Sequence, residues 1–354
     1  MPIPTEPIGS IPRPSQLLKA MQEYSAGRIT HQELEAAETE ALRDTIARFE
    51  ETGSPVITDG EQTKPSFATY PLCGLNLQPD GVVIPFADGH TRQLPALAAG
   101  PFRYGVHAAI YLKRAKQYAS RPIKQAVISA SALSLLYPAR GLPGYSREAF
   151  LNDLVDEAER DIRECLDAGA FCVQVDFTEG RLALKLDPSA GLLKSFVALN
   201  NRVLERFTAN ERRNIGVHTC PGGDRDSTHS ADVDYAALLP LVFQLKAGRF
   251  YIQLASEPDR KRVLNAIREH VQPGQLVFVG VIDPINPQVE TAEQVRDRVI
   301  EAAGIIPIES ERPTIVVFLR LRMTLPPRAI PRSPRYEAVW KGRNWRRVRS
   351  ECEG

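Results

Sequence analysis

At 354 residues, 43% hydrophobic and 25% charged, the chain has the composition of an ordinary globular protein, with room for one large α/β domain or two small ones. A formal net charge of +1 gives no overall reason to expect nucleic acid or an anionic membrane as partner. No apolar run approaches the roughly 18 residues of a membrane helix. The start, Met1-Pro2-Ile3-Pro4-Thr5-Glu6, shows no basic segment followed by an apolar one, so a cytoplasmic setting is expected. Five scattered cysteines do not read as a disulfide framework. Charge is uneven: residues 310–354 hold 11 Lys and Arg against 4 Asp and Glu.

Strands alternate with helices along the chain. Glu6-Pro7-Ile8-Gly9-Ser10 reads as a short strand and turn. Thr30-His31-Gln32-Glu33 is a capping box whose helix runs to about Thr52. Pro55–Thr58 is a second strand ending in Asp59-Gly60-Glu61, and the Gly- and Pro-rich residues 74–104 read as a hairpin insertion. A helix over 106–119 leads to a third strand, Ile123–Ser129. Ser146 opens an amphipathic helix that Gly169 stops. The fourth strand is Phe171–Asp176, followed by a helix over 191–208. Asn214–Val217 leads into His218-Thr219-Cys220 as the fifth. Helices near 232–247 and 258–270 flank a sixth strand, Phe250–Leu254, and a seventh, Leu276–Val281, precedes a helix from Thr291 to Ala303. Gly304–Ile308 is expected as the eighth.

Eight mostly apolar strands, most followed by a helix, predict an α/β fold of the (β/α)8 TIM-barrel type. A doubly wound sheet is the alternative. There is no glycine-rich dinucleotide fingerprint and no phosphate loop. Domain organisation is expected as a barrel over 1–309 and a basic tail over 310–354.

In such a barrel, chemistry gathers at the C-terminal strand ends. Those ends carry Ser10, Glu61, Asp176, His218, Cys220, Glu257 and Asp283. His218 and Cys220 lie two apart on one strand, so imidazole and thiol share a side, and both are good zinc ligands. Alone, His218 could equally be a core histidine and Cys220 a small buried residue. His31, His90, His107, His229 and His270 read as surface residues, and Cys73, Cys165 and Cys172 as non-ligands.

Five motifs then occur in order: Ile8-Gly9-Ser10-Ile11-Pro12-Arg13, Thr58-Asp59-Gly60-Glu61-Gln62, Gln174-Val175-Asp176, His218-Thr219-Cys220 and Gly280-Val281-Ile282-Asp283-Pro284. Over about residues 6–309 they resemble the catalytic barrel of cobalamin-independent methionine synthase, in the superfamily shared with uroporphyrinogen decarboxylase. The resemblance implies a zinc-dependent methyltransferase with two small-molecule partners, a homocysteine-like thiol and a folate-like methyl donor. It implies His218, Cys220 and Glu257 as metal ligands and Asp283 as catalytic. Ile8, Gly9, Ser10 and Glu61 would hold the amino acid's backbone groups, and Asp176 its ammonium. Tyr137 would stack on the pterin, and Glu179 matches a folate-binding acid.

Four departures accompany these matches. Leu254 stands in register with the family's third ligand, with Glu257 three residues on. Ile285 replaces the histidine that protonates the leaving folate. Asp176-Phe177-Thr178 replaces Asp-Glu-Pro, and no cysteine closes the zinc tetrahedron after the eighth strand. A non-folate donor, or a barrel impaired by the lost fourth ligand, are therefore the alternatives; a metal-free decarboxylase is disfavoured by the His-x-Cys pair. For the tail, disorder or a frame or splice difference near Ser310 is expected. A nucleic-acid-binding tail with Trp340 and Trp345 is the rival.

Overall fold

The computed structural model describes residues 5–224, 227–284, 286 and 288–306, with the backbone of a strand at 315–319. From the N-terminus come β1 (Thr5–Pro7), α1 (Ser15–Ser25) and α2 (His31–Glu51). Four short strands follow: β2 (Leu77–Gln78), β3 (Val83–Pro85), β4 (Thr91–Gln93) and β5 (Ala96–Leu97). Then come α3 (Ala109–Lys116), β6 (Lys124–Ile128), α4 (Ala130–Leu133), α5 (Arg147–Asp167), β7 (Cys172–Asp176), α6 (Glu179–Leu186), α7 (Gly191–Leu204) and α8 (Ala209–Arg212). The second half holds β8 (Ile215–Thr219), β9 (Gly223–Asp224), β10 (Ser227–Thr228), α9 (Tyr235–Val242) and β11 (Arg249–Ile252). It ends with α10 (Arg260–His270), β12 (Leu276–Gly280), α11 (Ala292–Ile305) and β13 (Ile315–Leu319).

Seven strands form one parallel sheet in the order β1-β13-β12-β11-β8-β7-β6. The gap between β6 and β1 is filled by residues 56–58. Ile57 N–H donates to Pro122 O and Ile57 O accepts from Lys124 N–H, each at 2.9 Å. On the other side Thr58 Oγ1 donates to Gly9 O at 3.0 Å. The ring closes, and the barrel expected from the strand count is the architecture observed. Strands such as Lys124–Ile128 and Cys172–Asp176 are buried at every position, which is why they read as continuous runs rather than alternating ones.

The expected eighth strand is corrected. Gly304 and Ile305 end α11, and the strand between β12 and β1 is Ile315–Leu319. Val295, Val299, Ala302 and Ile306 follow helical spacing, and the last two are fully buried. That periodicity carries the helix through the segment. Of the expected tail, 310–314 and 320–354 lie outside the described residues, as does Ile285.

Between the second and third ring strands, β2 pairs with β5 and β3 with β4, all antiparallel. The β3–β4 turn docks on the β9–β10 pair, which directly follows Cys220. Ala87 N–H donates to Thr228 O at 2.9 Å, Asp88 N–H to Ser227 Oγ at 3.2 Å, and His90 Nε2 lies 2.9 Å from Asp224 Oδ2. Among the described residues no helix is long and apolar enough to cross a membrane. Cys165, Cys172 and Cys220 are free thiols.

Candidate active site

Register brings the central group together. Asp176 of β7 pairs with His218 of β8, and His218 Nδ1 lies 3.1 Å from Asp176 Oδ1. That carboxylate is itself oriented by Gln174 Nε2, which donates to it at 2.8 Å. Two residues beyond His218, Cys220 Sγ accepts from Gly222 N–H at 3.4 Å. Burial alone would discharge both His218 and Cys220. Their mutual attraction outweighs it, holding the imidazole up at about 9, with help from Asp176, and the thiol below its ordinary value. Gly222 has φ +67, and a Cβ there would fall 1.7 Å from His229 Nε2, so only glycine lets the loop pass that ring. His229 is buried rather than on the surface. Burial, with Lys185 and Arg181 nearby, lowers its pKa to about 4.

The first two strands add a second group. Glu61 is fixed at φ 57, a strained conformation for a residue with a side chain, and its N–H donates to Asp59 Oδ1 at 2.9 Å. Its carboxylate lies 3.7 Å from Lys64 Nζ, both side chains being buried. Burial raises the Glu61 pKa; Lys64 opposes this, while Asp176 and Asp59 add to it. Lys64 donates to Ala126 O at 2.9 Å, and Arg13 Nη2 to Glu61 O at 3.1 Å. Of the segment expected to hold an amino acid, Ser10 is exposed and Gly9 O is taken by Thr58. Ile8 packs with Tyr251 and Phe278 in a buried apolar cluster.

Glu179 opens α6 beside this group. Its Oε1 accepts from Ser129 Oγ at 2.6 Å and from Ser131 Oγ, which in turn accepts from Asn200 Nδ2 at 2.7 Å. Burial, against the two hydroxyls and assisted by Asp176, raises its pKa to about 7. Tyr137 is half-buried: its hydroxyl donates to Tyr145 O at 2.7 Å and its ring packs on Phe150 at 5.4 Å. Asp283 lies in the loop after β12, its N–H donating to Glu290 Oε1 at 2.7 Å. Glu257 is elsewhere engaged, with Oε1 2.7 Å from Arg181 Nη1 in a buried ion pair.

A family model described as "Cobalamin-independent synthase, Catalytic domain" matches residues 3–313. The chain belongs to this family. The 5-methyltetrahydropteroyltriglutamate–homocysteine methyltransferase of Nitratidesulfovibrio vulgaris is 23% identical over 310 residues, 87% of this chain and 37% of its own length. The chain thus spans less than two fifths of the curated methyltransferases it matches first. Uncharacterized protein YxjH of Bacillus subtilis is 22% identical, covering 87% of this chain and 85% of its own length. A solved B12-independent methionine synthase from Shewanella sp. W3-18-1, in complex with selenomethionine, is 20% identical; it covers 91% of each chain at a TM-score of 0.68 and shares the fold.

Within this cobalamin-independent synthase barrel, the donor set for zinc is incomplete. Among the described residues no three of His, Cys, Asp and Glu stand together as a metal-binding group. His218 and Cys220 meet, but the expectation of Glu257 as third ligand is corrected, because its carboxylate neutralises the buried Arg181. Among the described residues, the donors that meet do not complete a zinc site. Sequence reading gave no role to Lys64, Gln174, Ser129, Ser131 or Arg181. Only Gln174 left a usable signal: two residues before Asp176, it shares that residue's side of the strand.

Proposed function

We propose that this chain methylates a thiol, with homocysteine as acceptor and a methylated folate of the 5-methyltetrahydrofolate type as donor. The observation that supports it is the convergence of the buried acids Glu61 and Asp176 with the His218–Cys220 pair, at the strand ends of a barrel of this family. Methyl transfer forms a sulfur–carbon bond as the carbon–nitrogen bond of the donor breaks. The electron pair leaves with the donor nitrogen, which then takes a proton. The protein's part is to hold sulfur and carbon in line. Asp176 and Glu61 supply negative charge for the acceptor's ammonium, and Asp176 also fixes the His218 ring. Glu179 and Tyr137 serve the donor's polar ring, as does Asp283 in the loop after β12. Zinc is the metal the donor types favour, and His218 and Cys220 are the two donors it would meet.

The test is conversion of homocysteine to methionine, read by mass spectrometry, with mono- and triglutamyl methylfolates and with a sulfonium methyl donor as separate arms. Asp176→Asn is expected to lower kcat/KM about 100-fold, roughly 3 kcal/mol of transition-state stabilisation, with Tm nearly unchanged. Absence of methionine with every donor would sink the proposal. Activity confined to the sulfonium arm would replace the folate donor and keep the thiol acceptor.

A further inference from the structure

β8 offers two donors, and a tetrahedral metal draws others from neighbouring elements. The neighbour on one side is β11, where Ile252 pairs with Thr219. Gln253 is therefore level with Cys220, and its N–H donates to Thr219 O at 3.3 Å. Alternation decides which side chains face the ring interior. Phe250, Ile252 and Leu254 are buried in the apolar layer shared with the helices. Tyr251 has the opposite parity and packs with Ile8 and Phe278. Gln253 continues the Tyr251 side. What the strand presents at the level of Cys220 is an uncharged amide.

The first acid along the chain after β11, Glu257, is held away by a network that leaves it little freedom. Arg181 is 1% exposed, and its guanidinium donates to Glu257 Oε1 at 2.7 Å, Val233 O at 2.6 Å and Ala231 O at 3.2 Å. It also lies over the Tyr235 ring at 4.6 Å. In the orientation that satisfies its partners, the Gln253 amide nitrogen donates to Glu257 Oε1 at 2.7 Å, and its oxygen accepts from Ser256 N–H at 3.2 Å. Moving Glu257 to a metal would strand a buried guanidinium, which is strongly unfavourable.

We propose that Gln253, not Glu257, occupies the β11 position of the His218–Cys220 centre, and that Glu257 is the anchor of Arg181. The centre then takes no carboxylate from this strand, and a single change, Gln253→Glu, installs one. This rests on the reading of His218 and Cys220 as metal donors. The new acid would face Glu257, so a metal ion is what makes it favourable.

Zinc affinity of the purified full chain, measured by competition with a chromogenic chelator, tests this. Gln253→Glu is expected to bind zinc about tenfold tighter or more than wild type. Glu257→Gln is expected to keep wild-type affinity while its Tm falls by several degrees, and Cys220→Ser to lose binding. Zinc lost in Glu257→Gln as in Cys220→Ser would overturn the proposal, as would Gln253→Glu binding no tighter than wild type. Unchanged binding in Cys220→Ser would instead remove the metal reading itself, and the Glu257→Gln melting shift would still judge the anchor. If Glu257→Gln does not fold, the double variant Arg181→Met with Glu257→Leu replaces both charges with apolar volume. It is expected to fold and to keep wild-type zinc affinity; loss of zinc in that variant would count against the proposal.

Discussion

The two ends of this barrel bury charge in opposite ways. At the N-terminal ends of the strands, Glu6 accepts from Arg249 Nη1 at 3.0 Å and from Tyr251 Oη at 2.8 Å. Lys124 Nζ lies 3.6 Å from the same carboxylate and 3.8 Å from the centre of the Tyr251 ring. One acid meets two cations. At the C-terminal ends, Asp59, Glu61, Asp176 and Glu179 are all buried; burial raises the pKa of Glu61 and of Glu179, and the negative charge of Asp176 adds to both. Glu61 sits at positive φ. A saturated end is a structural device, whereas an end with surplus acid and stored strain suits a cationic ligand group.

The largest effect expected at the saturated end is from Glu6→Gln. Removing the one acid leaves Arg249 and Lys124 buried without a counter-charge, at a cost of about 3–5 kcal/mol. Guanidinium unfolding would show this as a lower midpoint with an unchanged slope. Turnover per folded molecule should hold, because Glu6 lies at the opposite end from His218. A loss below about 1 kcal/mol would mean that the floor is solvated in solution, and the contrast between the ends would fail.

Much of the rim was legible in the sequence, because alternation and strand ends are local rules. His218 and Cys220 share a side by spacing alone, and Asp176 ends an apolar run. Glu257 was misread because what governs it, Arg181, lies 76 residues away, and no local pattern links a helix guanidinium to a loop acid. The eighth strand was misplaced for a different reason. Gly304-Ile305-Ile306-Pro307-Ile308 is short and apolar, and such a run ends a helix as readily as it forms a strand. Lys64 was invisible because a lysine is rarely fully buried; only the fold supplies Glu61, Ala126 O and the Tyr70 ring, 4.8 Å away, to hold it.

At the rim, Glu179 gives an effect of intermediate size that depends on pH. Its carboxyl is held at about 7 against an ordinary 4.5, so the native state binds this proton more tightly than the unfolded chain. The associated stability is complete below about pH 4.5 and is lost as pH rises through about 7. Glu179→Gln abolishes that slope. The difference in unfolding free energy between the two proteins should therefore shift by an amount on the order of 3 kcal/mol from pH 4.5 to pH 8, in favour of the variant at the higher pH. Parallel stability profiles would show that the two serine hydroxyls stabilise the charged form enough to cancel the burial, and Glu179 would then belong with the balanced charges of the floor.

The smallest effect is expected from Lys124→Met, and it probes the floor from its other side. Lys124 Nζ makes no hydrogen bond among the described residues, and burial, though opposed by Glu6, depresses its pKa. Its ammonium is therefore poorly compensated for the water it has lost. Methionine keeps the chain's length and its contact with the Tyr251 ring, while Glu6 retains both Arg249 and the Tyr251 hydroxyl. The net change should stay within about 1 kcal/mol of zero, of either sign, against several for Glu6→Gln. Equal losses in the two variants would mean that Arg249 alone cannot balance Glu6, so that the floor works as a three-membered charge cluster rather than as one ion pair with an extra cation beside it.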